Sequence, residues 1–284
     1  MTSSDPMLDR AVRAMVETDL LLGVGQVPLA DDGAAVTGGS GSGPADAAGD
    51  DESFAASSSA ADAAGMEPSN PAAAIIGVGT PAVPAEALLG ESIGERLQDL
   101  ATRHAASCEH CTASTTHRNI VFGEGDPDAS LMFIGEAPGE REDRTGRPFV
   151  GPAGEKLDQM IAAMGFSRDS VYIANVLKTR PQDNRTPRPD EAERCGRWLA
   201  SQIQLIRPRV LVALGGPAAK LLLGTETGIT RLRGVWGRYD VDDLRIPVMP
   251  TFHPAYVLRQ YTADVRAAVW NDLQLARDMI RGAE

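Results

Sequence analysis

The residues best suited to chemistry fall in five places. A glycine-rich stretch runs from Gly135 to Gly154 and carries Glu136, Ala137, Glu142 and Phe149 between glycines at 135, 139, 146, 151 and 154. Asn175 follows the apolar run Val171–Ala174, with Lys178 just after it. A His253-Pro254 step follows Val248–Phe252, with Arg259 one or two turns on. Cys108 and Cys111 form a Cys-x-x-Cys pair, and Cys195 is the third cysteine of the chain. A glycine-rich loop lets backbone N–H groups approach a ligand closely. This one is neither Gly-x-Gly-x-x-Gly nor a P-loop, since no Gly-Lys-Ser/Thr ends it. Paired cysteines in a reducing compartment read as metal or redox ligands rather than as a disulfide.

Elements must bring these places together. Four short apolar runs, Leu131–Ile134, Val171–Val176, Val210–Leu214 and Val248–Phe252, read as strands. Helical spacing covers Ala85–Ser107, Ala153–Met164, Asp190–Ile206, Pro217–Leu223 and Ala263–Ile280. Strand alternating with helix predicts an α/β three-layer sandwich, a short and mainly parallel four-stranded sheet flanked by helices. Ligands in such sheets bind beyond the carboxyl ends of the strands. Glu136, Asn175 and His253 each follow a strand, so the topology predicts that they line one crevice.

Charge is divided unevenly. Residues 1–95 hold 15 acidic and 2 basic side chains, whereas 96–284 hold 25 basic and 24 acidic. The net charge of −12 therefore belongs to the N-terminal third and does not argue against a polyanionic partner for the rest. Residues 1–26 suggest a short amphipathic helix. Residues 27–84 are Ala, Gly, Ser, Asp and Pro with few large apolar side chains, too little to offset ordering entropy, and read as an acidic linker of unknown partner. The folded domain is expected over 85–284. No signal peptide or membrane span is evident, which predicts a cytoplasmic chain, expected to be monomeric.

From Ser107 to Arg281 the motifs occur in the order of a known family. Gly135-Glu-Ala-Pro-Gly139 leads through acidic residues to Gly146-Arg-Pro-Phe-Val-Gly151. Then come Tyr172-Ile-Ala-Asn-Val-Leu-Lys178, Arg207-Pro-Arg-Val-Leu-Val-Ala-Leu-Gly215 and Thr251-Phe-His-Pro-Ala-Tyr-Val-Leu-Arg259. Together they resemble the iron–sulfur, or family 4, uracil-DNA glycosylases. The resemblance implies an enzyme that flips uracil from DNA and hydrolyses its N-glycosidic bond to start base-excision repair. A non-catalytic uracil- or DNA-binding member of the superfamily is the alternative.

The resemblance also implies roles. Phe149 would stack on the flipped base in a pocket shared with Ala137, although an aromatic there could equally plug the loop. Asn175 would read the uracil edge, because one carboxamide both donates and accepts. His253 would donate to uracil O2 as the base leaves as an anion. Glu136 and Glu142 are candidates to orient water or to stabilise the sugar cation. Arg147, Lys178, Arg185 and Arg259 would meet phosphate. Cys108, Cys111 and Cys195 match three ligands of a [4Fe–4S] cluster, while the remaining ligand position holds Thr179. A hydroxyl is a weak iron ligand, so the expected cluster is bound but labile, its fourth ligand coming from water, a nearby side chain or Thr179; a cluster lacking one iron, or three packed thiols with no cluster, are the alternatives.

Overall fold

The computed structural model describes residues 76–114 and 116–282. The expected N-terminal helix and the linker up to residue 75 lie outside the described residues. The four anticipated strands form the centre of the sheet: β3 (Leu131–Gly135), β4 (Tyr172–Asn175), β5 (Val210–Leu214) and β7 (Leu244–Thr251). They run β7-β5-β3-β4, every pair parallel. Residues of β3, β4 and β5 are buried on both faces, as continuous apolar runs in a covered parallel sheet should be.

The sheet is wider than the expected four strands. Its full order is β1-β6-β7-β5-β3-β4-β2, with β1 (Ile76–Val78), β2 (Glu124–Gly125) and β6 (Gly237–Val241) added at the margins. β6 pairs antiparallel with β7 through a tight turn that places Asp242 at φ 50°. β1 pairs parallel with β6, and Gly79, Ala82 and Val83 hydrogen-bond to Asp240, Arg197 and Ser201. Residues 76–84 therefore belong to the folded unit, and a linker ending at 84 runs too far. Their small side chains hid this, because the backbone rather than apolar bulk attaches them.

Helices cover both faces. On one side lie α1 (Ile93–Ser107), α2 (Glu109–Ala113), α5 (Pro189–Ile206) and α6 (Gly216–Leu223). Leu97, Leu100, Leu199, Ile203 and Leu222 pack there against Met132, Ile134, Ala174 and Leu211. The other side carries α4 (Pro152–Ala163) and α9 (Ala263–Arg281), whose Leu157, Ile161, Leu273 and Ala276 meet Leu131, Phe133, Ile173 and Val212. Alternate strand residues thus feed opposite cores, as the pleat requires. The expected helix over Ala85–Ser107 is a 3₁₀ turn at Ala85–Ala87 followed by α1. Gly90 at φ 132° breaks it, and Ser92 restarts it through a capping box with Glu95. Pro152, Pro189, Pro217 and Pro254 each open a helix, where their missing N–H is not needed.

Candidate active site and metal centre

The carboxyl ends of β3, β4 and β7 open into a crevice of about 520 Å³. It brings together Glu136, Ala137, Glu142, Phe149, Asn175, Arg185, His253 and Arg259. Gly135 and Asn175 are register partners on adjacent strands. A Cβ on Gly135 would lie 2.4 Å from Asn175 Oδ1 and 2.5 Å from Phe149 Cζ, so glycine there lets amide and ring converge. Asn175 is buried, and its Oδ1 has no hydrogen-bond partner. A buried, unpaired carbonyl costs ~1–3 kcal/mol in the free protein, and a donor brought by a ligand would recover it.

Phe149 is clamped. It adopts φ 49°, unusual for an aromatic residue, and is almost fully buried. Glu142 Oε1 accepts hydrogen bonds from the Val150 and Gly151 amides at 2.8 Å each. Arg168 donates to the carbonyls of Phe149 and Pro148. Gly154 must be glycine, since a Cβ there would sit 1.9 Å from the Phe149 carbonyl oxygen. Glu142 thus braces the loop on α3 (Glu140–Thr145) with one carboxylate oxygen and faces the crevice beside His253.

His253 caps α8 (Pro254–Arg259), its Nδ1 accepting from the Ala255 amide at 3.1 Å. An accepting Nδ1 leaves the proton on Nε2 in the neutral ring. Burial, with a contribution from Arg259, lowers the imidazole pKa to about 4, so the ring is neutral near pH 7. Its centroid lies 5.7 Å from that of Phe149, the planes 31° apart. The end of β7 is fixed behind it: Thr251 Oγ1 donates to the fully buried Asp272 of α9 at 2.7 Å, and Arg233 also donates to that carboxylate. Glu136 is partly buried, and desolvation raises its pKa.

The basic residues divide. Arg259 and Arg185 line the crevice, Arg185 in a two-bond pair with Glu191 at 2.6 and 2.7 Å. That pair holds the Glu191 carboxyl down to about 2. Arg147 is exposed outside the crevice lining and pairs with Glu124 at 2.8 and 3.0 Å. Lys178 is a correction. It is fully buried and donates to the Asn175 carbonyl at 2.8 Å and to Gln202 Oε1 at 2.5 Å, and burial lowers its pKa to about 7. A phosphate cannot reach it; it braces the turn that carries Asn175.

Cys108, Cys111 and Cys195 meet in the core on the α1 and α5 side, all buried with free thiols. His104, unexposed on α1, joins them, and the four ligand atoms lie within 4.8 Å of one another. Thr179, at the position matched to a fourth cysteine, places Oγ1 3.6 Å from Cys111 Sγ. By donor type this group can hold a metal and is compatible with iron–sulfur binding. His104, Arg168 and Asp272 were not apparent as functional residues from the motifs. His104 alone carried a usable signal, since it precedes Cys108 by one helical turn and shares its face.

Comparison with known proteins agrees with this architecture. The family model for the uracil DNA glycosylase superfamily matches residues 122–274. A type-4 uracil-DNA glycosylase of Thermotoga maritima is 41% identical over 189 residues, covering 66% of this chain and 96% of that protein. The type-4 enzyme of Archaeoglobus fulgidus is 42% identical over 174 residues, covering 58% of this chain and 84% of its own length. A type-5 uracil-DNA glycosylase of Thermus thermophilus is 36% identical over 118 residues, 36% of this chain and 53% of its own. No described helix is long and apolar enough to cross a membrane.

Proposed function

Because the chain belongs to the uracil DNA glycosylase superfamily, we propose that it hydrolyses the N-glycosidic bond of uracil in DNA and leaves an abasic site for repair. The observation that carries this reading is the unpartnered, buried Oδ1 of Asn175 beside the Phe149 ring and the His253 imidazole. A flipped uracil stacked on Phe149 presents N3–H and O4 to one carboxamide. Asn175 Oδ1 accepts from N3–H and its amide N–H₂ donates to O4. Cytosine offers no N3–H and a donor at its exocyclic position, so the same amide rejects it.

The chemistry then needs charge stabilisation on both fragments. As the glycosidic bond breaks, negative charge builds on uracil O2, and the Nε2–H of neutral His253 donates to it. Because this donor is uncharged, it stabilises the anion without protonating it. The sugar becomes cation-like, and the Glu136 carboxylate, half desolvated at the crevice, orients water toward it. Glu142 reinforces the field there while holding the Phe149 loop. Arg259 and Arg185 meet phosphates flanking the flipped nucleotide, Arg185 by exchanging its pair with buried Glu191 for a phosphate while Arg188, 3.0 Å away, stays on that carboxylate.

The metal-binding group lies in the core opposite the one that contains Phe149, so whatever it holds braces α1, α2 and α5 and enters no chemical step. In the resembled family the matching positions hold a [4Fe–4S] cluster, and this chain brings three of the four thiolates.

Incubation with a uracil-containing oligonucleotide followed by alkaline cleavage tests the activity. Strand breaks at uracil and not at cytosine are expected. Tight retention of the oligonucleotide without abasic sites would instead identify a binding protein.

A further inference from the structure

The spacing of the buried thiols distinguishes between the groups they could hold. Cys108 closes α1, Cys111 lies on α2, and Cys195 lies on α5. Cys195 Sγ stands 3.8 Å from Cys108 Sγ and 3.6 Å from Cys111 Sγ. His104 Nε2 lies 3.4 Å from Cys111 Sγ. Neither nitrogen of His104 bonds to a polar group outside this set among the described residues; its ring is wedged edge-on to Trp198, centroids 5.1 Å apart, and tilted against Phe122.

These separations match one metal ion. With Zn–S near 2.3 Å and Zn–N near 2.0–2.1 Å, a tetrahedron sets S···S at about 3.8 Å and S···N at about 3.5 Å. A four-iron cluster makes a different demand. Each of its thiolates binds a separate iron on the outside of the cluster, so the sulphurs stand well beyond contact with one another. With Cys195 Sγ already in contact with both other sulphurs, and all the ligand atoms within 4.8 Å of one another, no room is left for such a body between them. The position that would supply a fourth thiolate holds Thr179, whose hydroxyl is a poor ligand for soft metals. An imidazole suits zinc, and three thiolates with one histidine are a standard structural zinc set.

We propose that this chain holds a single tetrahedral ion, zinc, in a Cys₃His site of His104, Cys108, Cys111 and Cys195, in place of the four-thiolate iron–sulfur cluster. The ion cross-links α1, α2 and α5. Binding converts three thiols to thiolates and releases their protons to solvent, with no change of oxidation state. The proposal does not depend on glycosylase activity, and its readouts are separate from base excision.

The test uses the full-length protein, purified anaerobically from cells supplied with both iron and zinc, beside a Thr179→Cys variant treated identically. The expected result is about one zinc per chain and no acid-labile sulfide in the wild type. Cobalt(II) added to the metal-free protein should give the intense visible bands of a tetrahedral thiolate site. His104→Ala should weaken zinc binding in chelator competition by more than ~10²-fold, the upper range for losing a group that merely supports a ligand. His104→Cys, which offers a fourth thiolate at the same place, should keep tetrahedral cobalt and strengthen its thiolate charge-transfer absorption. Iron and sulfide in near-equal amounts in the wild type would overturn the proposal in favour of the cluster. So would a wild type that retains no metal, or an unchanged cobalt spectrum in both His104 variants.

Discussion

His253 performs two separable tasks, and substitution can divide them. Its Nδ1 caps α8 by accepting from the Ala255 amide, while its Nε2–H is the proposed donor to the departing base. Loss of an N-cap costs about 1 kcal/mol of stability, which for a domain of this size lowers Tm by roughly 2–4 °C. Loss of a donor to a developing anion costs about 2.7–4 kcal/mol of transition-state energy, or ~10²–10³ in rate. His253→Ala should show both losses. His253→Asn should keep the cap, since Asn is a good capping residue, yet lose the rate because its shorter amide does not reach the base. Single-turnover excision from a uracil oligonucleotide measures the rate, and binding to a non-cleavable analogue measures affinity, which should change little. The pH profile adds a constraint. With its pKa near 4, His253 stays neutral across the working range, so a rate step attributable to it falls near pH 4 and is abolished in His253→Asn. The stability term runs the same way. The unfolded histidine takes a proton near pH 6.5 and the folded one only near 4, so this term is fully present above 6.5 and is lost as pH falls toward 4. A His253→Asn enzyme within a few-fold of wild type, or equal losses in binding and turnover, would refute the donor role.

Four other outcomes follow from the site and its supports. Asn175→Asp should depress uracil excision and admit some cytosine, because a carboxylate lacks the amide donor to O4; paired cytosine and uracil oligonucleotides report it. Glu136→Gln should slow single-turnover excision with DNA affinity intact, and a normal rate would move water activation to another group. Lys178→Met should impair excision by releasing the Asn175 turn while leaving the salt dependence of DNA binding unchanged; a shallower slope of log K against log salt would restore Lys178 as a phosphate contact. A chain beginning at Ala73 should melt near the full-length temperature, whereas one beginning at Ala85 should melt lower, because it loses the β1–β6 ladder and the Val83–Ser201 bonds.

The central fold was legible because β3, β4, β5 and the Val248–Thr251 end of β7 are buried throughout and so read as apolar runs, three of them leading into Glu136, Asn175 and His253. The convergence of Glu136, Asn175 and His253 followed from that pattern alone. The marginal strands were not legible, for different reasons. β2 has two residues, β1 is held by backbone bonds from a segment rich in Ala, Gly and Pro, and β6 alternates burial as an ordinary hairpin strand with no motif to mark it. Lys178 shows the limit of reading charge as surface. Gln202 lies 24 residues away on α5, and only the packed structure reveals that it and the Asn175 carbonyl give the amine a buried place.

The metal centre combines both lessons. Cys108, Cys111 and Cys195 were found by spacing against a known pattern, and the same comparison fixed attention on Thr179 as the place where a ligand was missing. A pattern of four positions, however, registers a loss and says nothing about a replacement outside it. The replacement is one turn upstream: positions 104 and 108 share a helix face, so a histidine there approaches whatever Cys108 binds. Burying an imidazole between Trp198 and Phe122 with no polar partner beyond the thiols is costly unless a ligand uses it. A hydroxyl at 179 and an imidazole at 104 together make a donor set that closes on one ion rather than surrounding a cluster.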